Sequence, residues 1–331
     1  QLFAGSVTQE SPRIHSETGF PRYLTDEEVE RGAKQGRGTW CFGHIVPHYP
    51  RMLARGLEGL REEARAQRPR AKGPEEKAFL DSVQIALDGV QAFASRLAGR
   101  CREEASRSLS TRSAELLQMA ENLDHSPRLP PATFWQALQS VWLVHMSLQA
   151  TGDNDALGRL DQYAWPYLED DLRAGRLDEA RAAELAECFT LKFNERAKTT
   201  EDQEPECREE EAPDRTRRTR HGVSSQVGTQ RDGLDATNHW LQNIIIGGLT
   251  PQGRDGTNPL TFHLLEAYRR NKMTNPLVTV RLHRGTPGVL LEKVCEVLKE
   301  GGGMPALFND ETLVPAIQRL GIPEADARDY T

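Results

Sequence analysis

The sequence has no long apolar run. Its strongly hydrophobic stretches, such as Ile244 to Ile246 and Leu277 to Val280, fall far short of the roughly 20 residues that carry a helix across a bilayer. A membrane-spanning helix is therefore excluded. Nor is positive charge in excess: 42 lysines and arginines face 49 aspartates and glutamates, for a formal net charge of −7. This acidity gives no general attraction to phosphate backbones or anionic lipid, so neither nucleic acid nor a membrane surface is expected as a partner. Cysteine is scarce, with Cys41, Cys101, Cys188, Cys207 and Cys295 scattered singly. An odd number so spread does not describe a disulfide-stapled secreted domain, and a reducing cytoplasm is expected. The opening residues Gln1 to Ser6 lack the basic start and apolar run of a secretory signal. They also lack an initiating methionine, so the sequence is expected to begin inside a longer chain.

What is present is enough chain, 331 residues, to bury a substantial core in one large or two ordinary domains. Residues 1 to 47 carry prolines at 12, 21 and 47 and six glycines, which predicts irregular backbone anchored by the chain after residue 47. After Gly73-Pro74, apolar residues from Phe79 through Val83, Leu87 and Val90 to Leu97 recur at three- and four-residue spacing. That period predicts a long helix with one apolar face, ending at Gly99. A second helix is predicted from about Thr133, with Phe134, Leu138, Val141, Trp142, His145 and Leu148 on one face, and a third from Leu177 to about Arg196. The last third changes period. Asn243 to Gly248, Leu277 to Leu282 and Pro305 to Phe308 are short, partly β-branched runs bounded by Gly or Pro, as in strands buried on both faces. Helical patterns at about 258–271 and 287–299 separate them, so parallel pairing through helical crossovers is predicted.

Residues 201 to 220 fit neither period. They hold eight acidic and five basic residues and no Val, Ile, Leu, Met or aromatic side chain. Such a stretch cannot bury enough apolar surface to offset its ordering entropy, and residues 199–236 are predicted to form a solvated insert without a packed element.

Three clusters suggest chemistry. Cys41, His44 and His48 have a C-x2-H-x3-H spacing that could offer three zinc ligands, yet no second short Cys/His pair exists to complete the set. The competing reading makes Cys41 a small buried hydrophobe and His48 a surface loop residue. Asp153, Asn154, Asp155, Arg159 and Asp161 crowd a turn between two periodic segments, without the spacing of a calcium loop. That turn is read either as a site or as a helix cap with Arg159 paired to Asp161. Gly301-Gly302-Gly303 leads into a strand rather than a helix, which is a turn and not a phosphate cradle.

Four motifs, taken in order, carry a resemblance. They are Gly43-His44-Ile45-Val46-Pro47 with Tyr49 and Gly56; Gly158-Arg159-Leu160-Asp161-Gln162-Tyr163 with Pro166-Tyr167; Asn243-Ile244-Ile245-Ile246-Gly247-Gly248; and Pro305 to Glu311 with Ala327-Arg328-Asp329-Tyr330. In order and spacing the chain resembles the pyruvate formate-lyase domain of glycyl radical enzymes, on the branch of glycerol and diol dehydratases and carbon-heteroatom lyases. Residues 199–236 do not match, and a true insert and a frame error are both open there.

The resemblance implies an α/β fold: a helical portion over residues 1–198, then, over 237–331, parallel strands of the first half of a ten-stranded α/β barrel. It also implies a reaction in which a glycyl radical converts a cysteine, inside Gly-Cys-Val-Glu, to a thiyl that removes hydrogen from a small polar substrate. The radical would be installed by an S-adenosylmethionine iron-sulfur activating enzyme, and no cofactor would be bound by this chain. Thr331 lies just before the position of that cysteine motif in the family, so the sequence resembles the front portion of an enzyme, inactive alone, and none of its cysteines is nominated as catalytic. By residue match, the substrate-facing positions are His44, Asp153, Asn154 and Leu241. Where the glycerol dehydratase-like members carry a His-Ser pair and a tyrosine, this sequence has Asp153, Asn154 and Leu241. A carboxylate at 153 would favour a neutral polyol or amine over an anion. Dimerisation is common in the family, and a homodimer is an open expectation for this chain. Two other readings stand beside the enzyme: a non-catalytic scaffold derived from the family, and a metal-dependent hydrolase using Cys41, His44 and His48.

Overall fold

The computed structural model describes residues 2–4, 44–149, 154–194, 242–272, 275–301 and 303–331. The charged segment at 199–236 lies outside them. Helices dominate the first part: α1 (Tyr49–Gln67), α2 (Pro74–Ala105), α3 (Ser110–His125) and α4 (Phe134–Gln149), with β1 (His44–Ile45) before them and β2 (Asn154–Asp155) after. Then come α5 (Leu160–Tyr163), α6 (Trp165–Arg173) and α7 (Glu179–Leu191). The last part alternates β3 (Asn243–Gly247), α8 (Pro259–Asn271), β4 (Leu277–Leu282), α9 (Gly288–Lys299) and β5 (Ala306–Asn309), closing with α10 (Asp310–Gln318) and α11 (Glu324–Arg328).

Helix α4 is the centre of the core because it is apolar nearly all round: Phe134, Leu138, Val141, Trp142, Leu143 and Met146 are all buried. Phe193 meets the Trp142 ring edge-on at 5.2 Å and Phe189 at 5.1 Å, and Phe3 extends the cluster to Phe189 at 5.8 Å. Of the early segment, residues 2–4 are tied down on α4. Gln139 on α4 accepts from the Ala4 N–H (2.9 Å) and donates to the Ala4 carbonyl (3.2 Å), and Trp135 Nε1 donates to the Leu2 carbonyl (2.9 Å). The start of α4 is held by the buried Asp171, which accepts from the Phe134 N–H at 2.8 Å and from Arg176 Nε at 2.6 Å.

Helix α2 corrects the expected stop at Gly99. It continues to Ala105 because Ala98, Cys101 and Ala105 keep packing on one face, and a helix-interior glycine costs only about 1 kcal/mol. Its predicted apolar stripe is buried unevenly: Ala94 is fully enclosed, whereas Phe79 is 67% exposed.

The strands form one parallel series. β1 pairs with β2, and β3–β4–β5 pair in sequence order. The chain leaving β2 joins the two groups. Leu157 N–H donates to the Asn243 carbonyl (2.8 Å), Ile245 N–H donates to the Gly158 carbonyl (2.8 Å), and Gly158 bridges Ile244 in parallel. Among the described residues five strands thus lie side by side in chain order, the half-barrel arrangement expected of the fold class. β3 and β4 are buried along their length, but β5 departs from the two-faced burial predicted for it, with Leu307 48% and Phe308 37% exposed. Among the described residues, β5 is the outermost strand of the three and carries no neighbour on its far side.

Inside α1, Gly56 breaks the helix at φ 62°, ψ 169°. The kink frees the Leu57 and Glu58 amides to donate to the carbonyls of Pro127 (2.9 Å) and Arg128 (3.0 Å). A Cβ at 56 would lie 2.5 Å from the Arg128 carbonyl oxygen, so no side chain fits. Gly56→Ala is expected to cost about 2–3 kcal/mol from strain and displaced backbone. Gly89, exposed within α2 with nothing within 4 Å of its Cβ position, gives the opposite sign: Gly89→Ala should gain about 0.5–1 kcal/mol. Urea unfolding of both variants checks the pair.

Candidate functional site

Parallel strands present their carboxyl ends on one side, where loops collect polar groups. β1 and β2 bring two of the sequence-predicted residues together: the backbones of His44 and Asn154 are directly opposed, with Ile45 against Asp155. Asp153 and Leu241, the other two, lie outside the described residues, as does Cys41. His48 is a helix cap, its Nδ1 accepting from the Arg51 N–H at 3.3 Å. No group of three or more His, Cys, Asp or Glu able to hold a metal occurs among the described residues.

Behind β2, Asp155 is fully buried near Tyr49. The Tyr49 hydroxyl bonds His145 Nδ1 at 3.1 Å, and its ring stacks on Tyr163 at 5.8 Å. Burial pushes the Tyr49 hydroxyl well above the usual phenol range, with Tyr163 and the Asp155 carboxylate adding to the shift. The Tyr49 hydroxyl therefore keeps its proton at ordinary pH.

The turn after β2 is built around Gly158, whose φ of 62° a side chain would strain. A Cβ there would also stand 2.7 Å from Val46 Cγ1 and 3.1 Å from Thr331 Cγ2. Arg159 and Asp161 do not pair as one reading of the sequence had it. Arg159, buried, donates to the Gly247 carbonyl (2.9 Å), the Arg328 carbonyl (3.2 Å) and Asp329 Oδ1 (3.0 Å). Asp161, fully buried, accepts from the Gly247 N–H (2.8 Å) and the Thr261 hydroxyl (2.7 Å). Both side chains meet Gly247 at the end of β3, Arg159 at its carbonyl and Asp161 at its N–H, and Asp161 reaches the start of α8 as well. Burial raises the Asp161 pKa, opposed by those two hydrogen bonds and by Arg159.

The cluster missed from sequence centres on Arg281 in β4. Its side chain and that of Asp310 are both 0% exposed and form a two-pronged ion pair at 2.9 and 3.0 Å. Arg281 also donates to the carbonyls of Arg328 (2.7 Å) and Tyr330 (3.2 Å), and its guanidinium lies 3.9 Å over the Tyr330 ring. The Tyr330 hydroxyl donates to Asp310 Oδ1 at 2.8 Å, and Asp310 Oδ2 accepts from the Leu249 N–H at 2.7 Å. Burial, then the bond to Asp310, pushes the Tyr330 hydroxyl up. The missed signal was an arginine inside the run Leu277 to Leu282: a charge at a buried strand position requires a partner.

Two of the buried acids, Asp310 and Asp161, make stability predictions of different kinds. Asp310→Leu strands a buried guanidinium and is expected to cost about 3–5 kcal/mol, whereas the double change Arg281→Met with Asp310→Leu should cost less than the single one; chemical denaturation compares them. For Asp161 the folded state holds its proton more tightly than the unfolded chain. Stability should therefore fall as pH rises above about 4, the ordinary carboxylate value, toward the raised one. Asp161→Asn should flatten that slope in unfolding curves taken across the window.

This fold and its motifs have counterparts among known proteins. The model of the family described as pyruvate formate lyase-like matches residues 19–331. An isethionate sulfite-lyase of Desulfovibrio desulfuricans is 34% identical over 296 residues, covering 86% of this chain and 32% of that protein. The probable dehydratase YbiW of Escherichia coli is 32% identical over 324 residues, covering 93% of this chain and 37% of that protein. A solved structure from work on 1,2-propanediol dehydration in Roseburia inulinivorans superposes with a TM-score of 0.78 at 27% identity, covering all of this chain and 46% of that one. The chain thus spans about a third of the length of these curated relatives.

Proposed function

Since the chain belongs to the pyruvate formate lyase-like family, on the dehydratase-like branch of the glycyl radical enzymes, we propose that it supplies the first half-barrel of a glycyl radical lyase or dehydratase. The substrate of this reading is a small polar molecule. The observation that carries it is the opposed pair His44 and Asn154 on adjacent parallel strands. Two residues chosen by motif match from distant places in the sequence meet in one register.

In this reading the hydrogen-abstracting cysteine and the glycyl radical belong to sequence other than these 331 residues, and a separate S-adenosylmethionine iron-sulfur enzyme is the activating partner. The chain's own contribution is binding and orientation. The His44 imidazole exchanges a hydrogen bond with a substrate hydroxyl, a role suited to a ring that both donates and accepts when neutral. By motif match Asp153, Asn154 and Leu241 are the other substrate-facing positions, and Asp153 brings a carboxylate. A fixed negative charge in a water-poor site disfavours an anion. The substrate in this reading is a small neutral polyol or an amine-bearing compound, unlike the isethionate in the name of one relative.

The test is anaerobic activation of the whole enzyme with its activating partner, with the radical measured by electron paramagnetic resonance and products by mass spectrometry. Glycerol, 1,2-propanediol and amino alcohols should be turned over in preference to isethionate. His44→Ala should lower kcat/KM by about 100-fold, equivalent to about 3 kcal/mol of transition-state binding, with radical content unchanged. Efficient turnover of an anionic substrate, unimproved in Asp153→Asn, would sink the substrate assignment. A protein that never forms a radical would favour the scaffold reading.

A further inference from the structure

Two buried arginines converge on one short stretch of backbone. Arg281 reaches it from β4 and Arg159 from the turn before α5, and between them they bond both the Arg328 and the Tyr330 carbonyls. Arg159 takes the Asp329 carboxylate as well, and Tyr330 is held by its ring beneath Arg281 and by its hydroxyl on Asp310. The side chain of Arg328 is turned the other way, donating to the Pro251 carbonyl at 3.5 Å and pairing with Glu324. Every residue from 328 to 330 is thus fixed by a charged or aromatic contact, although the helix that precedes them ends at Arg328.

Such an arrangement is expensive if stability alone is its purpose. A fully desolvated guanidinium and carboxylate gain little over an apolar pair of the same volume. What two arginines do better than apolar residues is fix the direction of an irregular backbone, because each planar fork aims several donors at once. The direction they fix leads to Gly158. There Thr331 comes to lie against the chain leaving β2 and beside Val46, two residues beyond His44. Gly248 leaves room for the clamp, since a Cβ there would stand 2.6 Å from Arg281 Cβ and 2.9 Å from Asp310 Oδ2.

We propose that Arg281 and Arg159 are positioning residues that clamp segment 328–331 across the strand ends and set Thr331 beside the β1–β2 pair that carries His44 and Asn154. This rests on the function proposed above for its kinetic consequence, and on geometry alone for the clamp. Arg281 acts through the backbone it holds and touches no substrate itself. Lysine cannot replace it, since a single ammonium cannot serve two carboxylate oxygens and two carbonyls in one plane.

The experiment is hydrogen-deuterium exchange on the whole enzyme, with steady-state kinetics, for the unsubstituted protein, Arg281→Lys and the milder Tyr330→Phe, which keeps the ring and loses the bond to Asp310. In both variants the peptide holding residues 328–331 should exchange at least tenfold faster, while peptides from α4 and α7 are unchanged. kcat should fall at least tenfold with KM within threefold. Unchanged exchange at 328–331 in both variants overturns the clamp. Faster exchange there with unchanged kcat overturns the positioning role. Absence of turnover in the unsubstituted enzyme would sink the functional reading instead, and the clamp would then stand or fall on the exchange data alone.

Discussion

A guanidinium and a carboxylate with no solvent contact can persist only where every donor and lone pair finds a partner. The Arg281–Asp310 pair meets that demand by recruiting groups from distant places in the chain: the Leu249 amide after β3, the Tyr330 hydroxyl, and the carbonyls of residues 328 and 330. Each recruit restricts its own surroundings. Leu249 can reach Asp310 only if the chain bends sharply at Gly247 and Gly248, and both have positive φ, 69° and 75°. Asp310 is the first residue of α10, so the pair also fixes where that helix starts relative to β4.

How much of this the sequence disclosed depended on period. Long segments with a consistent repeat, α4 and the run of β3 and β4, were legible because burial on a fixed face writes itself into residue order. Two-residue strands leave no period to detect, so β1 and β2 were visible only as a family motif around His44 and Gly158. The end of α2 is not legible at Gly99, because a glycine does not stop a helix whose small residues Ala98, Cys101 and Ala105 continue the buried face. Partner choice was the least legible feature. Arg159 and Asp161 are two residues apart and of opposite charge, which suggests a pair. Which neighbour each side chain actually meets depends on β3 and on residues 328–329, 86 to 170 positions away.

The distribution of exposed apolar side chains over the strands has the same logic. On β3 and β4 the isoleucines and valines are enclosed, whereas Ile45 on β1 and Leu307 on β5 are about half exposed. These are the first and last of the five described strands in sequence order. Closing a sheet into a barrel removes such edges, and a ten-stranded barrel of two half-sheets would do so at both of these strands.

The site's polar groups serve the same geometry from a second side. Asp161 holds the Gly247 amide and Asp310 the Leu249 amide, while Arg159 holds the Gly247 carbonyl. The bend at the end of β3 is therefore gripped by two carboxylates and one guanidinium, none of them on β3 itself. Gln162 continues the grip by donating to the Gly256 carbonyl at 2.7 Å, and Asn258 by donating to the Asp161 carbonyl at 2.9 Å while capping α8. Backbone fixed this thoroughly by buried groups needs no ligand to order it, so binding would not have to supply that ordering free energy. The strand ends are thus a rigid rim.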